Sequence, residues 1–531
     1  MPRRGGRGWG SVVIMKQKIT NIALKATAGL VLLIALVLSF TISDYYIFNR
    51  IAHFNVVFVL SQWIKKAGLL LLPLAVFWNK KSCSDIFKYV LPLFIILSCA
   101  LFSGFFDIVP ATTTPVEEIF AHMNNFMPKW ANMTLFFLQN ALMLAACALL
   151  FVRDGYKVRA KSFIWLPFAV FACMPLNIFE NFFAISKIAP DNFFRFKNFT
   201  LWHFLMIAML AGFCIGAYYF LKRKSRKAQE DFLIAAAIVM LIQYHSKDSM
   251  VIGDGYNVYH SVFACIPLFI CNIGVYIAAF SVIFKKKVLY ALSFFVHAAG
   301  AVSVFVYFGK DSMSNYGIIL SYSILYFTLT HLLLFSLSVL PAALGHYKFK
   351  MKDCIIPLVY YFGVIVVATV SSALVTSYLE GYTYNGMVLG DEVRKAAEQL
   401  TGDAAQQQLQ LLLPNYAFTQ VNPFPFELPV WGITIWKYKV NLLYVLGLYA
   451  AYVAIFFAFN GVYYAFLAVR KKVLGRRAAP FAEGPAGEPL EEPALSGKAA
   501  IAEERAELSD EVAVTDDAPT PQGEKPDGTT E

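Results

Sequence analysis

Four polar side chains in the second half of the chain offer chemistry where the surrounding residues offer none. His331 stands midway through "SYSILYFTLTHLLLFSLSVL" (321–340). Cys271 and Asn272 lie in "FACIPLFICNIGVYI" (263–277), and His297 lies in "LSFFVHAAGAVSVF" (292–305). An imidazole can act as general base and a thiol as nucleophile, so a Cys–His combination suits acyl transfer through a covalent intermediate. Ionisable groups within apolar spans are costly and mark functional sites by default. Structural readings stand beside this one. A neutral imidazole can bond a carbonyl of a neighbouring helix and hold the bundle together, and a cysteine among apolar residues behaves as a small hydrophobe. Apolar burial raises a thiol pKa, so a Cys271 thiolate needs a basic partner. Thr328 and Thr330 can bond their own backbone, and Asn177, Glu180 and Asn181 in "MPLNIFENFF" suit interfacial anchoring.

The elements that position these residues are apolar runs of about 20 residues, the length needed to cross ~30 Å of hydrocarbon. Twelve such helices are expected near 21–42, 56–78, 87–106, 131–152, 163–184, 201–221, 231–247, 259–284, 288–307, 317–340, 354–378 and 440–468. Lys65 and Lys66 interrupt the second. At ~1.5 Å per residue, His331 lies roughly 21 Å and Cys271 roughly 17 Å from the outer ends of their helices. His297 comes from the opposite side to a similar depth, and Gly300, one turn away, allows close helix approach.

Alternate loops read "NKKSCSDIFK", "RDGYKVRAK", "KRKSRK", "KKK" and "HYKFKMK", and "RKKVLGRR" follows the last helix. Lys and Arg collect on the cytoplasmic side, so both termini are expected inside with an even number of crossings. The expected fold is all-α and polytopic: a bundle of about seven helices over 1–257, a second membrane module over 258–477 with an extracytoplasmic insert at 379–439, and a tail over 478–531. In the insert, Asp391 can cap a short amphipathic helix. The tail carries fourteen Asp/Glu against three Lys/Arg, a net of −11, has few large apolar residues, and is expected to be disordered and to recruit proteins.

The whole chain, 531 residues, is 58% hydrophobic and only 15% charged, with a mean hydropathy of +0.58. A soluble domain carries about 25% charged residues, so the balance indicates a multi-pass protein of the cell membrane. The net charge of +11 does not indicate nucleic acid, because the basic residues fall in short loops between apolar runs. None of the eight cysteines (Cys83, Cys99, Cys147, Cys173, Cys214, Cys265, Cys271 and Cys354) forms a CxxC pair, so no metal site, cofactor or disulfide framework is expected. The basic start and "LKATAGLVLLIALVLSF" are similar to a signal peptide but lack an A-x-A site, which suggests a retained first helix.

Over 258–468, apart from the insert, the chain resembles the YwaF-type bacterial integral membrane family, and more distantly its eukaryotic relatives, transmembrane phospholipid acyltransferases. "IPLFIC" (Ile266–Cys271) is similar to a Leu-Pro-Leu-His-Leu-Cys-like segment of the family. "YFTLTH" (Tyr326–His331) resembles the segment leading to its central histidine. "NYAF" (Asn415–Phe418) with "FPFELPVW" resembles its Asn-Tyr-Met-Phe stretch and the approach to the last span. Phe269 stands where the family has a histidine, and Leu268 where the eukaryotic relatives have the proposed nucleophilic cysteine.

The resemblance implies a lipid-processing, acyltransferase-like enzyme acting on membrane lipids. In it His331 is the general base, Cys271 the nucleophile, and Asn272, His297, Asn415 and Tyr416 contact substrate. Two other classes stay open: a secondary transporter, since twelve helices with both ends inside is a common carrier layout, and a non-catalytic scaffold. The scarcity of intramembrane Asp and Glu speaks against an ion-coupled carrier. Substrate and oligomeric state are not legible.

Overall fold

The computed structural model describes residues 7–40, 56–102, 129–176, 199–246, 266–306, 321–380, 416–419, 431–436 and 438–473, with a few isolated positions. Contacts divide the chain into two units, Met1–Ala465 and Phe466–Glu531. The helical bundle belongs to the first. Asn177, Glu180, Asn181, Asp391, Asn415 and the acidic tail fall outside the described residues.

The helices are α1 (Arg7–Ser39), α2 (Val56–Val76), α3 (Lys81–Ala100), α4 (Lys129–Asp154), a 3-10 turn (Ala160–Trp165) leading into α5 (Leu166–Ala172), α6 (Leu201–Leu221), α7 (Arg226–His245), α8 (Ile270–Phe284), α9 (Lys287–Leu292), a π-helical turn (Ser293–Ala298), α10 (Ala299–Val306), α11 (Tyr322–Ala343), α12 (Ile355–Glu380) and α13 (Leu442–Val473). Among the described residues nine helices are long and apolar enough to cross a membrane. The protein is therefore a polytopic membrane protein.

Three of the twelve expected spans depart from that standard. The helix of Arg226–His245 opens with a charged first turn. The two others are shorter apolar helices, Ala160–Ala172 and Ile270–Phe284. Each short helix has a proline beside its shortened end. Pro175 follows the end of α5, and Pro267 precedes α8, where it disfavours helix at Ile266. The chain is helical, as expected, with two short hairpins added. Thr383–Tyr384 pairs with Met387–Val388, and Gly432–Ile435 pairs antiparallel with Tyr438–Asn441, just before α13. In the second hairpin a Cβ at Gly432 would sit 1.8 Å from the Val440 carbonyl oxygen, so only glycine fits. Trp436, in the turn, takes a positive φ of 55°.

Within hydrocarbon, helices gain little from hiding apolar surface, and close packing and polar contacts hold them together. One core joins α1–α4 with α5 through Leu24, Leu71, Phe87, Met143 and Ala169. A second joins α6 to α11 through Met206, Met240, Val275, Phe305 and Leu334. Alternate positions of α7 serve both, Ile234 and Ile238 in the first, Leu233, Ala237 and Met240 in the second. A third core packs the start of α8 against α12, Tyr416, Val440 and α13.

The Lys/Arg-rich loops are tied to one another at one end of the bundle. Arg159 donates to both oxygens of the fully buried Asp85 at 2.8 and 3.1 Å. Ser162 donates to the same carboxylate at 2.8 Å, and Lys88 lies 3.6 Å from it while bonding the Gly155 carbonyl at 3.0 Å. Lys80 pairs with Asp231, Lys285 with Glu230, and Lys287 with Asp353 at 3.2 Å. The His346 Nε2 meets the Gln229 Oε1 at 2.8 Å. Five loops that sequence placed on one side thus share one end.

Candidate functional site

The site begins with α8. Its first turn follows the extended backbone of Phe269, whose φ of −79° and ψ of 142° end the run after Pro267. Cys271 and Asn272 therefore sit in the first turn, both half-buried, with the Cys271 thiol 3.7 Å from the Asn272 Oδ1. Tyr452 of α13 lies within electrostatic range of that thiol. Cys271 belongs to the face of α8 that continues through Val275, Ala278 and Val282 into the core shared with α11.

The neighbouring face of α8 carries Gly274, and against it lies His297, 1% exposed. A Cβ at Gly274 would meet the His297 Nδ1 at 2.7 Å and its Cγ at 2.9 Å, so the ring lies directly on the α8 backbone. The close approach thus depends on Gly274. At Gly300 a Cβ would meet only ordinary contact, Ile270 at 3.6 Å. His297 occupies the π-helical turn Ser293–Ala298, a distortion often found at functional positions. Its Nε2 lies 3.4 Å from the Tyr360 hydroxyl of α12. Tyr360 was not legible in "PLVYYFGV", because nothing in that stretch separates it from Tyr361.

His331 lies on α11, 5% exposed. Its Nδ1 is 2.9 Å from the Phe327 carbonyl one turn earlier. A carbonyl only accepts, so Nδ1 carries the proton and Nε2 of the neutral ring holds the lone pair. Phe327 stacks on the ring at 4.0 Å, and Phe305 meets it edge-on at 6.0 Å. His203, a histidine not anticipated from sequence, shows the opposite tautomer. Its Nδ1 accepts from the Phe199 N–H at 2.9 Å, so Nε2 donates to the Phe305 carbonyl at 2.6 Å. Nδ1 ties the ring to the backbone just before α6 and Nε2 ties α6 to α10, whereas the Nδ1 bond of His331 lies within its own helix.

Tyr416 is fully buried. Its backbone N–H donates to the Ser372 hydroxyl at 3.0 Å, and its ring meets Phe269 edge-on at 6.1 Å. The segments around 266–271 and 416–418 therefore pack together, with Phe269 as the joint. Beside them a narrow apolar cleft of about 20 Å³ lies between α8, the π turn, α12 and α13, lined by Ile270, Val296, Gly300, Leu358, Tyr361 and Tyr452. Ile270 and Val296 are the chain neighbours of Cys271 and His297.

The structure thus gathers Cys271, Asn272, His297 and His331 on three packed helices. Cys271 lies beside Asn272, His297 against Gly274 and Tyr360, and His331 against Phe327 and Phe305. A second polar group lies in the first bundle. Lys65 and Lys66, 8% and 7% exposed, sit midway along α2. The Lys65 ammonium lies 4.1 Å from the centre of the Phe136 ring, and Gln62 bonds Ser98. Asn132, Gln139 and Asn140 of α4 are buried as well.

No curated protein and no solved structure matches the chain. The stretch 198–400, which holds α6 to α12 with Cys271, His297, His331 and Tyr360, matches the model of the TMEM164 family, a family of transmembrane proteins.

Proposed function

We propose that this protein is a lipid-processing enzyme of acyl-transfer type, embedded in the cell membrane, with its reaction centre among Cys271, Asn272, His297 and His331. The observation that carries the reading is the apolar cleft beside the first turn of α8. Its walls suit a hydrocarbon chain, and its margin holds the thiol-bearing turn and a buried histidine. The resemblance in the motif segments supports the reading, and the TMEM164 match over 198–400 supports a membrane-embedded setting for α6 to α12.

In this reading the His331 Nε2 takes the Cys271 thiol proton as the sulfur attacks an ester carbonyl of a phospholipid. The C–S bond forms, the ester C–O bond breaks, and the leaving lysolipid oxygen takes the proton from the imidazolium. A second lysolipid hydroxyl gives its proton to His331 and attacks the thioester, restoring the thiol. Asn272, Asn415 and Tyr416 contact substrate, and His297 with Tyr360 fixes the wall of the cleft.

The test follows acyl exchange between phospholipids by the purified full chain, its His331→Gln and its Cys271→Ala variants, all with matched thermal unfolding. General acid–base groups contribute typically ~10²–10⁴-fold, so His331→Gln should lose activity by that order. A fully active His331→Gln protein removes this histidine from the chemistry. Full activity of Cys271→Ala would instead leave direct attack by a lipid hydroxyl.

A second reading, transport, is favoured by Lys65 and Lys66. Buried lysines halfway through a membrane helix, among Gln62, Asn132 and Asn140, are the kind of group that lines a solute path. Uptake by reconstituted vesicles that is lost in Lys65→Met but kept in His331→Gln would favour transport.

A further inference from the structure

The basic end of the bundle contains more than its own ion pairs use. The carboxylates of Asp85, Asp154, Glu230, Asp231 and Asp353 are each engaged by a cation of the chain. Lys222, Arg223 and Lys224, between α6 and α7, and Lys227, in the first turn of α7, are all exposed and have no acidic partner among the described residues. Lys286 and Lys350, on neighbouring loops at the same end, are exposed in the same way.

The aromatic residues before this run give it a direction. The Lys222 ammonium lies 4.7 Å from the centre of the Tyr219 ring and 5.6 Å from that of Tyr218. Lys224 lies 5.1 Å from the centre of the Phe220 ring. Tyr219 and Phe220 are 56% and 57% exposed at the end of an apolar, membrane-length helix. Rings of this kind settle where headgroups meet hydrocarbon, which sets the cations above them at headgroup level. The fold also fixes the run. Ser225 caps α7 by accepting from the Ala228 N–H at 3.3 Å, and Gln229 bonds back to the Leu221 and Lys224 carbonyls.

We infer that the α6–α7 turn is a binding surface for anionic phospholipid headgroups of the adjoining leaflet, with Lys222, Arg223 and Lys224 as its principal cations. The occupant is a membrane lipid because the rings place these charges at the bilayer boundary. Clusters of four to eight juxtamembrane Lys/Arg have this chemistry, and each cation contributes about fivefold in binding. The inference does not depend on the acyl-transfer reading: a carrier or scaffold would use the same surface.

The experiment reconstitutes the full chain in phosphatidylcholine vesicles and compares spin-labelled phosphatidylglycerol with spin-labelled phosphatidylcholine. The measured quantity is the fraction of each label immobilised by the protein. Preference for phosphatidylglycerol is expected, falling severalfold in the combined Lys222→Gln, Arg223→Gln, Lys224→Gln variant and staying near wild type in Lys348→Gln, Lys352→Gln. Equal immobilisation of both lipids by the wild type overturns the inference. So does an unchanged preference in the triple variant. Should the triple variant fail to insert, the wild type is titrated with salt: a preference that survives ~1 M salt, where screening acts within about 3 Å, also overturns it. Inorganic phosphate that displaces the lipid better than chloride at equal ionic strength would show a soluble-anion site and refute the bilayer assignment.

Discussion

Gly274→Ala puts one methyl group where His297 already lies. The added Cβ would come to 2.7 Å from Nδ1, against about 3.4 Å for ordinary contact, so the ring or α8 must give by about 0.7 Å. The ring has little room, because His297 is buried within a π turn whose neighbours Phe294, Phe295 and Ala298 are buried too. Its Nε2 is already 3.4 Å from the Tyr360 hydroxyl, so a shift away from α8 weakens or rearranges that bond. Overpacking of this kind costs about 1–3 kcal/mol, and loss of a buried hydrogen bond about 0.5–1.5 kcal/mol of it. Thermal unfolding of the purified protein should show Gly274→Ala less stable by that order. In a His297→Ala background the methyl group has space, so adding Gly274→Ala should cost close to nothing. Additive effects of the two substitutions, within a few tenths of a kcal/mol, would show that the ring does not rest on Gly274 and would refute the packing argument.

Asp85→Ala leaves Lys88 buried without its carboxylate, which costs about 3–5 kcal/mol when one partner of a buried pair is removed. Adding Lys88→Met should recover much of that in thermal unfolding, and no recovery would count against the ion-pair account. His346 has a pKa below the usual 6.5 because of burial first and the Arg226 charge second, only partly offset by Glu230. Its contribution to stability is thus present above pH 6.5 and declines as pH falls below it, the unfolded chain binding the proton more readily. His346→Gln should flatten this part of the stability–pH curve, and an unchanged slope would assign the dependence elsewhere. Reporter fusions should place the loop after α12 on one side of the membrane and the chain after Arg477 on the other; finding both on one side would break the even number of crossings.

The parts of the fold legible in sequence are those with local causes. Long apolar runs read as helices because a span must satisfy its backbone internally. The buried α2 was readable despite Lys65 and Lys66. Breaks were harder. Pro267 and Pro175 were visible, yet a hydropathy window averages across them, so α8 and α5 came out too long. The Gly432–Asn441 hairpin depends on a close approach between two backbones, which no periodicity in "GITIWKYKVN" announces. The charged loops illustrate another limit. Sequence placed Lys88 and Asp85 at the edge of the same loop, but the bidentate bond from Arg159, 74 positions on, is a product of packing.

The candidate site divides along the same line. His331, His297 and Cys271 could be singled out because each is a polar residue in an apolar run. Their roles could not be ranked, because role depends on which atom faces which neighbour. The Phe327 carbonyl fixes the proton of His331 on Nδ1, the backbone of Phe199 fixes that of His203 on Nε2, and the surface of Gly274 fixes the place of His297. A histidine whose two nitrogens both serve the fold, as in His203, can change only by loosening it. In His331 the Nδ1 bond to the Phe327 carbonyl lies within α11 itself, and the proposed proton transfer uses Nε2 and leaves that bond in place. His331→Gln keeps a hydrogen-bonding side chain while removing the titrating ring, so lost acyl exchange at matched thermal unfolding separates chemistry from architecture.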